Sequence, residues 1–296
     1  MPELPEVETI VRGLNKKVLK RTFLDVWTDN PKMIKRSKSF SDFRNQIRGK
    51  KIIKVWRRAK NIIFGLSGGL SLLIHQKLTG HLLIGKWQLT GDKWLPKEKG
   101  SLEEPVNRFI HLIFQLDDGR QLALSDLRKF AKAELWNTED LMKSEEFKNL
   151  GPEPLDKNFS FEKFKEVLRG KTPRRAQGKI KQVLMDQSVI SGIGNIYSDE
   201  ILWRAKIHPL KGILGLKEKE LKKIYQATRE ILEKAIQLRG TSISDYRDIE
   251  GKEGLYEKVR NVYQREGEKC SRCGAIIKRL KIGGRSAHYC PVCQKL

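Results

Sequence analysis

The sequence predicts an α+β protein: an N-terminal antiparallel β-sandwich with flanking helices, then a helical domain, then a C-terminal four-cysteine ribbon. Three observations carry this. Short apolar runs separated by turn residues fill positions 20–137. After "GPEP" at Gly151–Pro154 the apolar spacing becomes helical. All four cysteines lie between Cys270 and Cys293, with none before them.

The first element is a helix. Val7, Ile10, Val11, Leu14 and Val18 recur three or four residues apart, and Pro5 suits a first turn; Gly13 weakens the pattern. The runs "KIIKVW", "NIIFGL", "LSLLIH", "HLLIG", "RFIHLIFQL" and "RQLALSDL" follow. Hairpin punctuation stands at Ser67–Gly69 and Asp117–Gly119, so residues 20–137 are expected to be antiparallel β. Helical segments are expected over 159–170, 175–187, 195–205 and 216–238. The last shows a charged face opposite Leu221, Ile224, Ile231, Leu232 and Ile236. Poor periodicity makes 239–267 a long loop. The expected partition is a sandwich domain at 1–137, a linker at 138–158, a helical domain with its loop at 159–262 and a ribbon at 263–296.

Lys and Arg number 60 against 36 Asp and Glu, a formal charge of +24 over 296 residues. That exceeds what solubility requires and favours a polyanionic partner, nucleic acid ahead of anionic membrane. No 18-residue apolar stretch occurs, and the N-terminus carries acids instead of a basic, apolar leader. A cytosolic or nucleoid-associated location is expected. Nothing signals an oligomer interface, so a monomer is expected.

Cys270-x2-Cys273-x16-Cys290-x2-Cys293 has the spacing of a tetrahedral zinc site, each pair presenting two thiolates from a tight turn. Two disulfides or free thiols are the rivals. Four thiolates would leave no open position, so one Zn2+ would be structural. His288 is adjacent, but four cysteines fill the shell. Residues 269–296 carry Lys269, Arg272, Lys278, Arg279, Lys281, Arg285 and Lys295 and no acid. Arg285 follows Gly283–Gly284, where a hairpin tip could lay it on phosphates; a merely solvated basic face is the alternative.

Gly192-x-Gly194 precedes Asn195 at an expected N-cap, a place where backbone N–H groups can approach phosphate. Helix packing explains such glycines equally well. At the N-terminus, proline after Met1 permits methionine removal. Pro2 would then be a terminal secondary amine, and an α-amino group offers on the order of a hundredfold more free base at pH 7 than lysine. Its attack on an aldehyde carbon gives an iminium, an electron sink. Glu3 could supply a proton. The competing reading is a helix start whose Glu6 and Glu8 complement the dipole.

Four segments in order, "MPELPEVET", "GPEPL", "LMDQSVISGIGNIYSDE" and "CSRC…HYCPVC", resemble bacterial formamidopyrimidine-DNA glycosylases over nearly the whole chain. The resemblance implies a helix–two-turn–helix domain with a zinc ribbon, removal of oxidised purines from duplex DNA and cleavage at the abasic site, with no small-molecule cofactor. It implies Pro2 as nucleophile on the sugar C1′, Glu3 as general acid, Lys60 as a catalytic and phosphate-contacting lysine and Arg285 as the ribbon arginine with catalytic and DNA-contacting roles. Lys181 and Asn195 match phosphate ligands. In "HQKLTG", His75 matches a phosphate contact and Leu78 a wedge; in "DLRKF", Arg128 would face the orphaned cytosine and Phe130 would wedge between bases. Ordinary packing is the alternative for His75, Leu78 and Phe130. Glu6 stays between dipole partner and supporting carboxylate. The lid over the flipped base would lie in 239–267, with backbone amides around Thr241–Tyr246 as readers.

The chain departs from the family pattern at several points. Leu78 replaces methionine, Lys77 a glycine, Lys129 an arginine and Ala131 a glycine, and Gly85–Asn107 is longer. A sister endonuclease VIII activity on oxidised pyrimidines would start "PEGPE" and lack the Arg128–Phe130 pair. A non-catalytic zinc-ribbon DNA-binding protein would need neither Pro2 nor Glu3.

Overall fold

The computed structural model describes residues 1–170, 178–243 and 245–296, so the expected helical run over 175–187 is seen only from Gly178. The chain forms two compact units. The first contains Met1–Lys148 and Leu238–Glu257; the second contains Asn149–Gln237 and Lys258–Leu296. Residues 238–257, expected with the helical domain, thus belong to the sandwich unit.

In the first unit, α1 spans Leu4–Lys17 and buries Leu4, Val7, Ile10, Val11 and Leu14 as one stripe. Each such side chain stabilises by about 1.5–3 kcal/mol through area removed from water. Gly13 has a reason in packing: a Cβ there would come 2.8 Å from the Ile249 side chain. The segment 238–257 is therefore seated on α1, and Lys17 also bridges Glu250 at 2.5 Å.

Two sheets form the sandwich. One has the order β1 (Phe23–Thr28), β9 (Ile110–Leu116), β10 (Gln121–Ser125), β6 (His81–Gly85). The other has the order β2 (Ile34–Lys35), β11 (Lys132–Asn137), β5 (Leu70–His75), β4 (Asn61–Leu66), β3 (Ile52–Arg58). The period-two alternation sends Ile62, Phe64, Leu72 and Ile74 into the common core with Leu112, Phe114, Leu122 and α1. Ile63 and Leu73 point outward and are covered by Trp136, Leu141 and Phe147. The last two come from α3 (Thr138–Lys143) and α4 (Glu145–Lys148), inside the expected linker. On the other sheet, outward Leu83, Ile113 and Ala123 lie beneath Trp87, Trp94 and Leu102. The longer Gly85–Asn107 stretch is thus a cover, built on the hairpin β7 (Trp87–Thr90) and β8 (Lys93–Pro96).

Two features depart from an all-antiparallel reading of 20–137. β2 pairs with β11 in parallel. The helix α2 (Phe40–Ile47) intervenes, capped by Ser39, whose Oγ accepts the Asp42 N–H at 3.1 Å. It buries only Phe43 and Ile47, too little periodicity to read from sequence.

The topology brings two loops together. β5 pairs with β11, with His75 opposite Lys132, and β6 pairs with β10, with His81 opposite Ser125. The β5–β6 and β10–β11 connections each cross from one sheet to the other, so loops 76–80 and 126–131 run side by side at one end.

The second unit contains α5 (Phe161–Arg169), α6 (Ile180–Met185), α7 (Asn195–Ala205), α8 (Glu218–Gln237) and the hairpin β12 (Lys278–Ile282) and β13 (Arg285–Tyr289). α7 is buried nearly all round, including Asp199 and Glu200. Glu200 accepts the backbone N–H groups of Asn261, Val262 and Tyr263 at 2.8–3.0 Å, which ties the approach to the ribbon onto α7. A buried carboxylate is tolerated because every oxygen is satisfied.

Candidate active site and nucleic-acid interface

The start of the chain is a buried polar cluster. Met1 is exposed, but Pro2, Glu3 and Glu6 are buried. Glu3 is the N-cap of α1, and its N–H donates to Glu6 Oε2 at 2.7 Å. Glu6 Oε1 accepts the Thr241 N–H at 2.8 Å, and the Tyr246 hydroxyl donates to the Glu6 carbonyl at 3.4 Å. A Cβ on Gly240, whose φ is +78°, would meet Glu6 Oε1 at 2.7 Å. The segment 238–257 is therefore shaped to the Glu6 carboxylate. Glu6 keeps its place as first-turn dipole partner and gains a second one, as the tie between the terminus and residue 241.

Burial pushes the Met1 ammonium below its usual range; Glu3 and Glu6 oppose this and Lys60 adds to it. Lys60 sits buried on the turn joining β3 to β4. The Met1 amine, two carboxylates and Lys60 thus share one electrostatic neighbourhood around Pro2.

His75 ends β5. Its Nδ1 accepts the Lys77 N–H at 2.9 Å, so the ring's remaining proton lies on Nε2. Burial, with Lys77, Lys132 and Lys60 nearby, pushes its pKa down to about 3. A neutral ring with a free donor suits a phosphate oxygen.

Leu78 is 38% exposed and Phe130 52%, in a protein whose aliphatic and aromatic residues are mostly buried. The two side chains project from the adjacent crossing loops. The Arg128 guanidinium stacks 4.8 Å from the Phe130 ring centroid. Lys77 and Lys129 take positive φ values of 54° and 56°, each beside a projecting residue, at a cost of roughly 1–2 kcal/mol each for a side chain bearing Cβ. Asp126 and Thr79, which no motif singles out in the sequence, hold these loops. Asp126 is fully buried; Oδ2 accepts the Ala131 N–H at 2.7 Å and Oδ1 accepts the Thr79 hydroxyl. The only local signal was an Asp opening a turn.

In the second unit Lys181, matched to a phosphate ligand by resemblance, is buried. Its ammonium is buried and donates to Asp199 Oδ1 at 2.5 Å and to Ser198 Oγ at 3.2 Å. Asp199 Oδ2 in turn accepts the His288 N–H at 2.9 Å and lies 2.9 Å from His288 Nδ1. Lys181 thus ties α6 to α7, and Asp199 carries the tie on to His288 of the ribbon, because a buried ammonium must be paired. Asn195 is the first residue of α7, with Gly194 as N-cap, and its Oδ1 is buried without a hydrogen-bond partner among the described residues. The Gly192–Gly194 turn is closed by Gln187, whose Oε1 accepts the Gly192 N–H at 2.8 Å.

The thiols of Cys270, Cys273, Cys290 and Cys293 lie within 4.8 Å of one another, around a common centre. Their chemistry and spacing fit one structural zinc, and the Trp203 indole N–H donates to Cys270 Sγ at 3.4 Å, a support for a thiolate ligand. Between the pairs, Gly283 and Gly284 take φ values of 54° and 76°, the conformation a two-residue hairpin turn demands. Arg285 follows, exposed at the tip.

Comparison with known proteins agrees along the whole chain. Residues 1–133 match the formamidopyrimidine-DNA glycosylase N-terminal domain, residues 150–247 the H2TH domain of that enzyme, and residues 267–296 a zinc finger found in FPG and IleRS. The formamidopyrimidine-DNA glycosylase of Pelotomaculum thermopropionicum is 41% identical over the full length of both chains. That of Desulforamulus reducens is 40% identical over all of this chain and 99% of its own. Among solved structures, a Lactococcus lactis Fpg complex with abasic-site DNA has a TM-score of 0.85 at 36% identity, covering 99% of this chain and 100% of that one. A Lactococcus lactis complex with Fapy-dG DNA has a TM-score of 0.83 at 35% identity, with the same coverage. With three matching domains in order, the four-thiol centre and full-length relatives, the chain belongs to the formamidopyrimidine-DNA glycosylase family.

Proposed function

We propose that this protein is a bifunctional DNA glycosylase and abasic-site lyase of base excision repair, acting on oxidised purines in duplex DNA. The observation that carries the reading is the buried Pro2–Glu3–Glu6 cluster, where one carboxylate fixes both the Glu3 backbone and Thr241. A protein that only bound DNA would need no such cluster.

After Met1 is removed, the Pro2 nitrogen attacks C1′ of the flipped nucleotide, the glycosidic bond breaks and the base departs. Glu3 delivers a proton to the sugar-ring oxygen, the ring opens and an iminium remains. That cation withdraws electrons, so a C2′ proton is lost and the 3′ phosphate leaves by β-elimination; δ-elimination then releases the 5′ phosphate. Lys60 and His75 serve as phosphate contacts, His75 as a neutral Nε2–H donor. Leu78, Arg128 and Phe130 fill the space left by the flipped base, with Arg128 facing the orphaned cytosine. The exposed Arg285 reaches the strand from the ribbon tip and assists elimination. The +24 charge supplies a salt-dependent hold on the duplex. The protein acts as a monomer.

Borohydride trapping tests this. Duplex DNA carrying 8-oxoguanine opposite cytosine should give a covalent adduct at residue 2, and Pro2→Gly should lose most of it. No adduct with this lesion or with an abasic site would remove the reading. A Lactococcus lactis Fpg was captured with DNA containing an oxidised pyrimidine, so that lesion belongs in the panel; an adduct with it alone would favour the sister activity.

A further inference from the structure

We propose that Thr79 and Asp126 form a positioning latch that makes the two projecting loops act as one unit, so that Leu78 and Phe130 enter the duplex together. The proposal rests on the DNA glycosylase reading above and adds residues to it.

The geometry is specific. The crossing loops 76–80 and 126–131 lie side by side because their flanking strands are partners in both sheets, β5 with β11 and β6 with β10. Neighbouring loops could still move separately. Asp126 prevents this from one buried position. Its Oδ2 takes the Ala131 N–H at 2.7 Å, its Oδ1 takes the Arg128 N–H at 3.3 Å, and its carbonyl takes the Lys129 N–H at 3.1 Å. These bonds close the loop that carries Arg128 and Phe130. The same Oδ1 accepts the Thr79 hydroxyl, and Thr79 Oγ1 accepts the Arg128 N–H at 3.2 Å. Thr79 immediately follows Leu78, and the Gly80 N–H returns to the Gln76 carbonyl at 3.1 Å to close its own turn. One hydroxyl and one carboxylate therefore join the residue beside the wedge to the backbone of Arg128.

Burial supports rigidity. Moving the 76–80 loop alone would strip the Thr79 hydroxyl of its acceptor, Asp126 Oδ1, and take Thr79 Oγ1 from the Arg128 N–H in a dry site, a loss that costs more than it would in water. Both loops also carry a lysine at positive φ, at Lys77 and Lys129. Such strain persists only where surrounding bonds over-determine the backbone. The latch supplies those bonds. The consequence is functional: a half-inserted state, with Leu78 in the stack and Phe130 outside it, is disfavoured. Neither residue of the latch touches the reacting atoms.

The test is a double-mutant cycle on single-turnover excision from 8-oxoguanine:cytosine duplexes. Leu78→Ala and Phe130→Ala are made singly and together, in the native background and in Thr79→Val and Thr79→Ser backgrounds. In the native background the two truncations should be non-additive, on the order of tenfold. In Thr79→Val, which keeps the volume and removes the hydroxyl, they should become additive within about twofold. Thr79→Ser, which restores the hydroxyl, should bring the coupling back. Thr79→Val should also lower the ratio of duplex excision to cleavage of a single-stranded abasic site, where there is no partner stack to fill. Coupling that persists in Thr79→Val, or additivity already present in the native background, would overturn the latch. Absence of any excision or trapping by the native protein would instead remove the glycosylase reading. Asp126→Asn, tested in the same cycle with its folding checked by thermal melting, should uncouple the pair as Thr79→Val does; retained coupling would also count against the latch.

Discussion

Glu6 Oε1 accepts the Thr241 N–H at 2.8 Å across 235 residues of chain, while Oε2 holds the Glu3 N–H at 2.7 Å. The two chain segments of the first unit meet on one carboxylate. Glu6→Gln keeps the shape but turns one acceptor into a donor that faces an N–H. Excision should fall by roughly 10- to 100-fold and stability by about 1–3 kcal/mol, the cost of a buried group left unsatisfied. Single-turnover rates and thermal melting read both. A variant with native turnover would reduce Glu6 to a helix dipole partner.

His75 is held neutral, with a pKa of about 3 against an ordinary 6.5. Between those values the unfolded chain binds a proton that the folded chain does not. The associated stability is complete above about pH 6.5 and is lost as pH falls towards 3. NMR should show the His75 ring unmoved from pH 8 to 5. A titration midpoint near 6.5 would contradict the assignment.

Lys181→Ala should destabilise by about 3–5 kcal/mol, because Asp199 would keep a buried charge without its ammonium partner. If Lys181 is a strut, the slope of log affinity against log salt should not change. A slope reduced by about one would restore it as a phosphate contact.

Both polar atoms of the Gln76 amide are buried without a hydrogen-bond partner among the described residues. Gln76→Leu removes that cost at nearly equal volume and should stabilise by about 1–2 kcal/mol, seen as a melting temperature raised by a few degrees. A lower melting temperature would mean that the amide is satisfied in solution.

Zinc should be present at one equivalent, and Cys290→Ser should lose most of it, by elemental analysis. Trp203 donates to Cys270 Sγ, so stripping the metal should change tryptophan emission. Unchanged emission and unchanged metal content in Cys290→Ser would reject the four-thiol centre.

Much of this protein is local and therefore legible. The 3–4 spacing of Val7, Ile10, Val11 and Leu14 predicted α1, and the short apolar runs with hairpin punctuation predicted the sandwich, because a helix imposes its repeat on what it buries and a strand covered on both faces is apolar throughout. The cysteine spacing predicted a tetrahedral centre, because ligand geometry acts over a few residues. "MPELPEVET" and the motifs behind it carried the family. What the tertiary structure alone decided is which distant groups meet. Residues 238–257 return to the sandwich, Lys181 turns inward to Asp199, and Thr79 finds Asp126. No repeat or spacing announces these pairs. Each is fixed by burial, which makes an unpaired polar group costly and so selects the one partner that the surrounding packing brings within reach.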